Sequence, residues 1–156
     1  MAILTGDPLA FGMTPIPMNC ATTSLQGRTI QAVGYGRTYP TDESNTIRWW
    51  TTLDITSESS RTYTAYGYNT TGTCEGDSGG PALYTKSDGN VNVMGVVSGG
   101  NRSDCRGETY YPRTDYYCGF LDDYVPRDGC MGQTAQGRCA GSVAVWCEGG
   151  LIRTQN

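Results

Sequence analysis

The chain has 156 residues, enough for one ordinary domain with a small appendage. Its 15 acidic and 11 basic residues leave a net charge of −4, and the basic residues are scattered singly, which argues against a nucleic-acid partner. No apolar run approaches the ~20 residues that span a bilayer, so no membrane partner is expected, and the chain contains 0 histidines.

Residues 1–28 open on Met1-Ala2-Ile3-Leu4-Thr5-Gly6, which lacks the positive start and long apolar core of a secretory leader. They pass through Pro8, Pro15 and Pro17, the mark of an extended linker. Strand-like composition follows at 29–36 and at about 47–55, 61–68, 81–85, 91–98 and 109–115, separated by Gly, Asp, Asn and Ser clusters. That spacing predicts an antiparallel all-β sandwich or barrel, with Asp88-Gly89 turning one hairpin. Residues 116–125 are the one helix candidate, with Phe120, Leu121, Tyr124 and Val125 on one side and Pro126 as its stop. Residues 126–156 are glycine-rich and show little strand pattern, which predicts a small disulfide-held appendage with Trp146 as its core.

Seven cysteines point to an oxidising compartment, and the odd number leaves at least one thiol unpaired. Cys130, Cys139 and Cys147 are spaced C-x8-C-x7-C, without the tight C-x2-C pairs or histidines of a zinc site, so no metal or other cofactor is expected. They read as a disulfide module whose last cysteine lies beyond Asn156. Asn69-Thr70-Thr71 and Asn101-Arg102-Ser103 match the glycosylation acceptor pattern, a common coincidence in a Thr/Ser-rich chain.

The chemistry concentrates in Cys74-Glu75-Gly76-Asp77-Ser78-Gly79-Gly80-Pro81. This run resembles the nucleophile segment of chymotrypsin- or trypsin-like serine proteases. Three other segments resemble the family in the right order: Ala32-Val33-Gly34-Tyr35-Gly36, Gly95-Val96-Val97-Ser98-Gly99-Gly100 and Thr109-Tyr110-Tyr111-Pro112-Arg113-Thr114. The resemblance covers residues 1–125, a partial protease domain with its linker at 1–28 and its barrel and helix at 29–125. It implies an all-β fold: an antiparallel Greek-key barrel, the second of a chymotrypsin-like double barrel, with a short C-terminal helix. Residues 126–156 fall outside it. The same glycines also fit the G-x-S-x-G elbow of α/β-hydrolases, but that elbow needs a helix after the serine, and Pro81 instead leads into a strand-like segment.

The resemblance implies a role for each residue. Ser78 is the nucleophile, and the N–H groups of Gly76 and Ser78 form the oxyanion hole. Asp77 supports that loop by pairing with the new N-terminal ammonium made when an activating protease cuts a precursor. A Cys74–Cys105 disulfide frames the primary specificity pocket, closing a loop of about 30 residues for roughly 3–4 kcal/mol. Gly72 forms the pocket floor, Thr73 lies beside it, and Thr109 takes a wall position often held by glycine. The pocket is therefore neutral and partly filled, suited to small or medium apolar side chains. Ser98, Gly99 and Gly100 lie along the substrate backbone, with Gly99 where the family keeps tryptophan. A second disulfide, Cys20–Cys118, staples the linker to the final helix.

A serine is a weak nucleophile until a base takes its proton, and in this family the base is a histidine. Met1-Ala2-Ile3-Leu4 resembles the strand that directly follows the catalytic aspartate, which would place both acid and base upstream of this chain. Asp7 is not a substitute, because Gly6-Asp7-Pro8 reads as a turn. The expected function is a secreted serine endopeptidase acting on polypeptides, represented by a C-terminal fragment that is inactive without its N-terminal barrel. Two alternatives stand beside it: a pseudoprotease that binds protein without cleaving it, and a structural domain in which the run is accidental.

Overall fold

In the computed structural model, which describes residues 15–41, 45–121, 123–124, 134–149 and 151–155, the chain divides into two units. One is Met18–Cys118; the other comprises the described parts of Met1–Pro17 and Gly119–Asn156. The segments 1–14, with Asp7, and 125–133, with Cys130, lie outside the described residues.

The first unit is a curled antiparallel sheet of β1 (Thr29–Gly34), β2 (Trp49–Glu58), β3 (Thr62–Tyr66), β4 (Pro81–Thr85), β5 (Val91–Val96), β6 (Gly99–Gly100) and β7 (Glu108–Pro112). Alternate residues turn inward, as a half-buried strand requires: Ile30 and Ala32 from β1, Leu53 and Ile55 from β2, Tyr63 and Ala65 from β3. Ala82, Met94, Val97 and Tyr111 complete the core from the other side. The strand order is β5-β4-β1-β2-β3-β7-β6. β1 to β3 form a meander, the chain then crosses to lay β4 beside β1, and β7 returns beside β3. The curl brings β5 back to the end of β7, where Gly95 bridges Arg113 and the Thr114 N–H donates to the Met94 carbonyl at 2.9 Å. This is the trypsin-like barrel that the sequence predicts.

Arg113 ties this closure to the segment before β1. Its guanidinium forks onto Asp115 at 2.9 and 2.7 Å and donates to the carbonyls of Ser59 (3.0 Å) and Thr23 (3.2 Å). It also lies 4.5 Å from the centroid of the Tyr63 ring, whose hydroxyl donates to the Thr23 carbonyl at 2.7 Å. Burial, reinforced by the Asp115 charge, pushes the Tyr63 phenol up to about 12. A disulfide joins Cys20 to Cys118, across 98 residues.

The helix is shorter than the sequence suggests. α1 covers Cys118–Leu121, a single turn, instead of 116–125. Of the side expected to be apolar, Phe120 and Tyr124 are exposed, so it buries too little surface to hold a longer helix. The Phe120 and Tyr124 rings contact each other at a tilt of 55°, with centroids 5.5 Å apart.

The second unit corrects the expectation of little strand pattern in 126–156. It contains a three-stranded meander of β8 (Arg138–Ala140), β9 (Val143–Glu148) and β10 (Leu151–Gln155). Short strands and a high glycine content hide the period-2 pattern, yet Val143 and Val145 are buried while Ala144 between them is exposed. The core is Ala140, Val143, Val145 and Ile152. Trp146 falls on the opposite face of β9 from Val145 and is not the core residue the sequence suggests. Cys147 is disulfide-bonded, and Cys139 is an exposed free thiol.

Candidate active site

The nucleophile run links β3 to β4 and folds as two consecutive tight turns. The Asp77 N–H donates to the Cys74 carbonyl at 3.1 Å, and the Gly80 N–H donates to the Asp77 carbonyl at 2.8 Å. Gly76 (φ +94°) and Gly79 (φ +83°) take left-handed conformations that a side chain would strain. The far end of the loop is pinned beyond β5, where Gly79 donates to Val97 and Val97 donates back to Gly80, both at 2.8 Å. Ser78 is exposed within the second turn. The N–H groups of Cys74, Asp77, Gly79 and Gly80 are all occupied, whereas those of Glu75, Gly76 and Ser78 donate to nothing among the described residues.

Asp77 points its carboxylate toward β1. One oxygen accepts from the Gly36 N–H at 2.8 Å and the other from the Cys74 N–H at 2.9 Å. The carboxylate packs so closely on Gly34 and Gly36 that a Cβ at either position would overlap it. This explains the Gly-Tyr-Gly pattern: the glycines admit Asp77, and Tyr35 projects into solvent. The Arg37 N–H donates to the Glu75 carbonyl at 2.9 Å, and the Arg37 guanidinium lies 2.7 Å from the Glu75 carboxylate.

A disulfide joins Cys74 to Cys105, whose Cα atoms are 4.9 Å apart. Gly72 lies against the Cys105 carbonyl so tightly that no Cβ fits there. The hydroxyls of Thr73 and Thr109 meet at 2.9 Å. Ser98 is exposed, and its N–H donates to the Tyr110 carbonyl at 2.9 Å. Beyond it, β6 pairs Gly99 with Tyr110 and Gly100 with Thr109 and forms an edge of the sheet.

A cavity of about 510 Å³ opens on the Asp77 side of the loop, with Gly36, Trp49, Trp50, Gly72, Asp77 and Arg106 on its wall. Gly72, Thr73, Cys74 and Asp77 thus share one cavity, while Ser78, Ser98, Gly99, Gly100 and Thr109 lie outside it. Sequence reasoning passed over Trp49 and Trp50, which stand adjacent at the start of β2; their only signal was two exposed-type aromatics opening a strand. Among the described residues, no cluster of three or more carboxylates, cysteines or histidines is placed to hold a metal ion.

No curated protein matches the chain. A family model described as Trypsin matches residues 4–120, a span that takes in the Gly-Tyr-Gly turn, the nucleophile run and β7. The chain belongs to the trypsin family of serine proteases.

Proposed function

We propose that this chain is the nucleophile-bearing barrel of a secreted serine endopeptidase that cleaves polypeptides through an acyl-enzyme on Ser78. The observation that carries the reading is an exposed serine on a tightly turned, pinned loop, with its own N–H and that of Gly76 among the loop's undonated groups. As Ser78 Oγ attacks a substrate carbonyl, the oxygen gains negative charge, and these two donors stabilise it. Losing one such donor costs about 10²–10³ in rate. The open edge at Ser98, Gly99 and Gly100 supports binding of the substrate backbone as an added strand. The pocket at Gly72, Thr73 and Thr109 holds no charged side chain among these three, which supports a neutral cleavage preference.

The chain supplies no histidine, so the proton acceptor belongs to another part of the enzyme, the N-terminal barrel of the same protein. The cavity beside Asp77 leaves room for an N-terminal ammonium released by an activating protease, which would take the carboxylate from the Gly36 and Cys74 N–H groups. Residues 1–125 belong to the protease domain and 126–156 to an appendage. The disulfides suit an oxidising, extracellular setting.

A serine-directed fluorophosphonate probe tests the reading. No labelling of Ser78 is expected in this chain alone, with labelling restored when the N-terminal barrel is supplied and abolished again by Ser78→Ala. Robust labelling of the chain alone would refute the need for an external base. Absence of labelling with the barrel present would favour the pseudoprotease.

A further inference from the structure

Strand β2 turns its last residue toward the core side of the sheet, although that residue is a carboxylate. Leu53 and Ile55 point into the core, so strict alternation would place Ser57 inward and Glu58 outward. A bulge between Ile55 and Ser57 shifts the register, and Glu58 comes to lie opposite Tyr63, which is 1% exposed. Cross-strand partners share a face, so the bulge re-aims Glu58 inward.

There it meets the segment before β1. One Glu58 oxygen accepts from the Ser24 hydroxyl at 2.7 Å and the other from the Leu25 N–H at 3.0 Å. On either side the segment is tied by backbone: the Asn19 N–H donates to the Val93 carbonyl and the Gly27 N–H to the Ile55 carbonyl, both at 2.9 Å. Between these ties, residues 21–25 hydrogen-bond to the barrel, among the described residues, only through ionisable side chains. Besides Glu58, these are Asp115, which accepts from the Thr23 N–H at 3.3 Å, and Tyr63 and Arg113, which donate to the Thr23 carbonyl at 2.7 and 3.2 Å.

These four groups respond differently to acid. Arg113 stays charged, and Tyr63, pushed up to about 12, stays neutral. Asp115 keeps its fork to Arg113 whether or not Thr23 is in place. Glu58 instead draws both hydrogen bonds from Ser24 and Leu25, and residues 21–26 carry no charged side chain of their own. Its charge is therefore the one most closely bound to whether the segment is attached.

We propose that Glu58 is a carboxylate latch: ionised, it holds residues 21–25 on the barrel, and protonated, it lets them detach while the sheet stays folded. The consequence rests on the endopeptidase reading, in which residues 1–28 lead from the N-terminal barrel; acid then loosens the attachment that carries that barrel to Ser78. Burial opposes the Glu58 charge, but the Ser24 and Leu25 bonds and the Arg113 guanidinium outweigh it. The attached state thus binds the proton less readily than the detached one, and the latch weakens as pH falls below about 4.

Amide hydrogen exchange of the ¹⁵N-labelled 156-residue chain, at about pH 6.5 and about pH 3.5 and corrected for intrinsic rates, tests this. Leu25 is expected to lose about 10-fold in protection at the lower pH, because its acceptor changes from charged to neutral. Ile55 and Val97, whose N–H groups donate to backbone carbonyls, are expected to keep theirs. Glu58→Gln keeps an acceptor oxygen without the charge, so Leu25 is expected to show the lower protection at both pH values, with Ile55 and Val97 unmoved. Unchanged Leu25 protection in acid, an equal loss at all three amides, or a pH response that survives in Glu58→Gln would each overturn the inference. If the variant does not fold, the pH series on the native chain decides alone. Exchange reads attachment and not chemistry, so none of these outcomes touches the labelling of Ser78 by which the endopeptidase reading is judged.

Discussion

Asp77 Oδ1 accepts a hydrogen bond of 2.8 Å from the backbone N–H of Gly36, across 41 residues of sequence. This contact anchors the nucleophile loop to the end of β1, and it exists because neither Gly34 nor Gly36 carries a side chain. A Cβ on Gly36 would stand 2.5 Å from the Asp77 Cγ and 2.8 Å from its backbone nitrogen. Gly36→Ala is therefore expected to destabilise the chain by about 1–3 kcal/mol through overpacking, measured by urea denaturation. Tyr35→Ala, between the two glycines but 60% exposed, should change stability by less than about 0.5 kcal/mol. Equal effects at the two positions would contradict the packing argument.

The Arg113–Asp115 pair makes stability depend on acid. Their side chains are only 7% and 4% exposed. Burial alone would raise the Asp115 carboxyl, but the Arg113 guanidinium and the N–H groups of Thr23 and Tyr116 together hold it below its ordinary value. A carboxyl lowered by folding contributes its full stability above the unfolded value, near 4, and loses it as pH falls through the folded value. Glu58 is lowered as well: hydrogen bonds from the Ser24 hydroxyl and the Leu25 N–H, with the Arg113 charge, outweigh its burial. Stability should therefore be level from pH 7 to about 5 and fall below about pH 4. Asp115→Ala is expected to cost about 3–5 kcal/mol at pH 7, because it leaves a buried guanidinium unpaired, and to flatten the acid limb. Denaturant titrations of both proteins at several pH values check this.

The two disulfides should differ in what they contribute. They close loops of 98 residues (Cys20–Cys118) and 31 residues (Cys74–Cys105). In the loop-entropy account, removing the first costs about 1 kcal/mol more than removing the second, roughly 4.7 against 3.7. Paired serine substitutions compared by urea unfolding measure the difference. A larger loss from opening Cys74–Cys105 would mean that local packing at the pocket, and not chain entropy, governs its contribution.

Much of the barrel was legible because its strands are half-buried. Alternation in 29–34, 62–66 and 109–112, with turn residues between them, is a local signal that survives without tertiary context. The strands of the tail were missed because they are only three to six residues long and separated by glycine-containing turns. Trp146 attracted attention by size, yet its side of β9 is opposite Val145. The helix was overextended because Phe120, Leu121, Tyr124 and Val125 fall on one side at helical spacing, while the Phe120 and Tyr124 rings in fact lie exposed.

The sequence by itself determined the family, the nucleophile run, the strand pattern and the absence of any histidine, because all of these are carried by neighbouring residues. Only the tertiary structure decided which glycine accommodates Asp77, which hydroxyl faces Thr73 from 36 residues away, and that Tyr111 is fully buried in the core. Those facts depend on strand register and on the curl that brings β5 to β7, and register between distant strands follows from collective packing of the core, which no local pattern encodes.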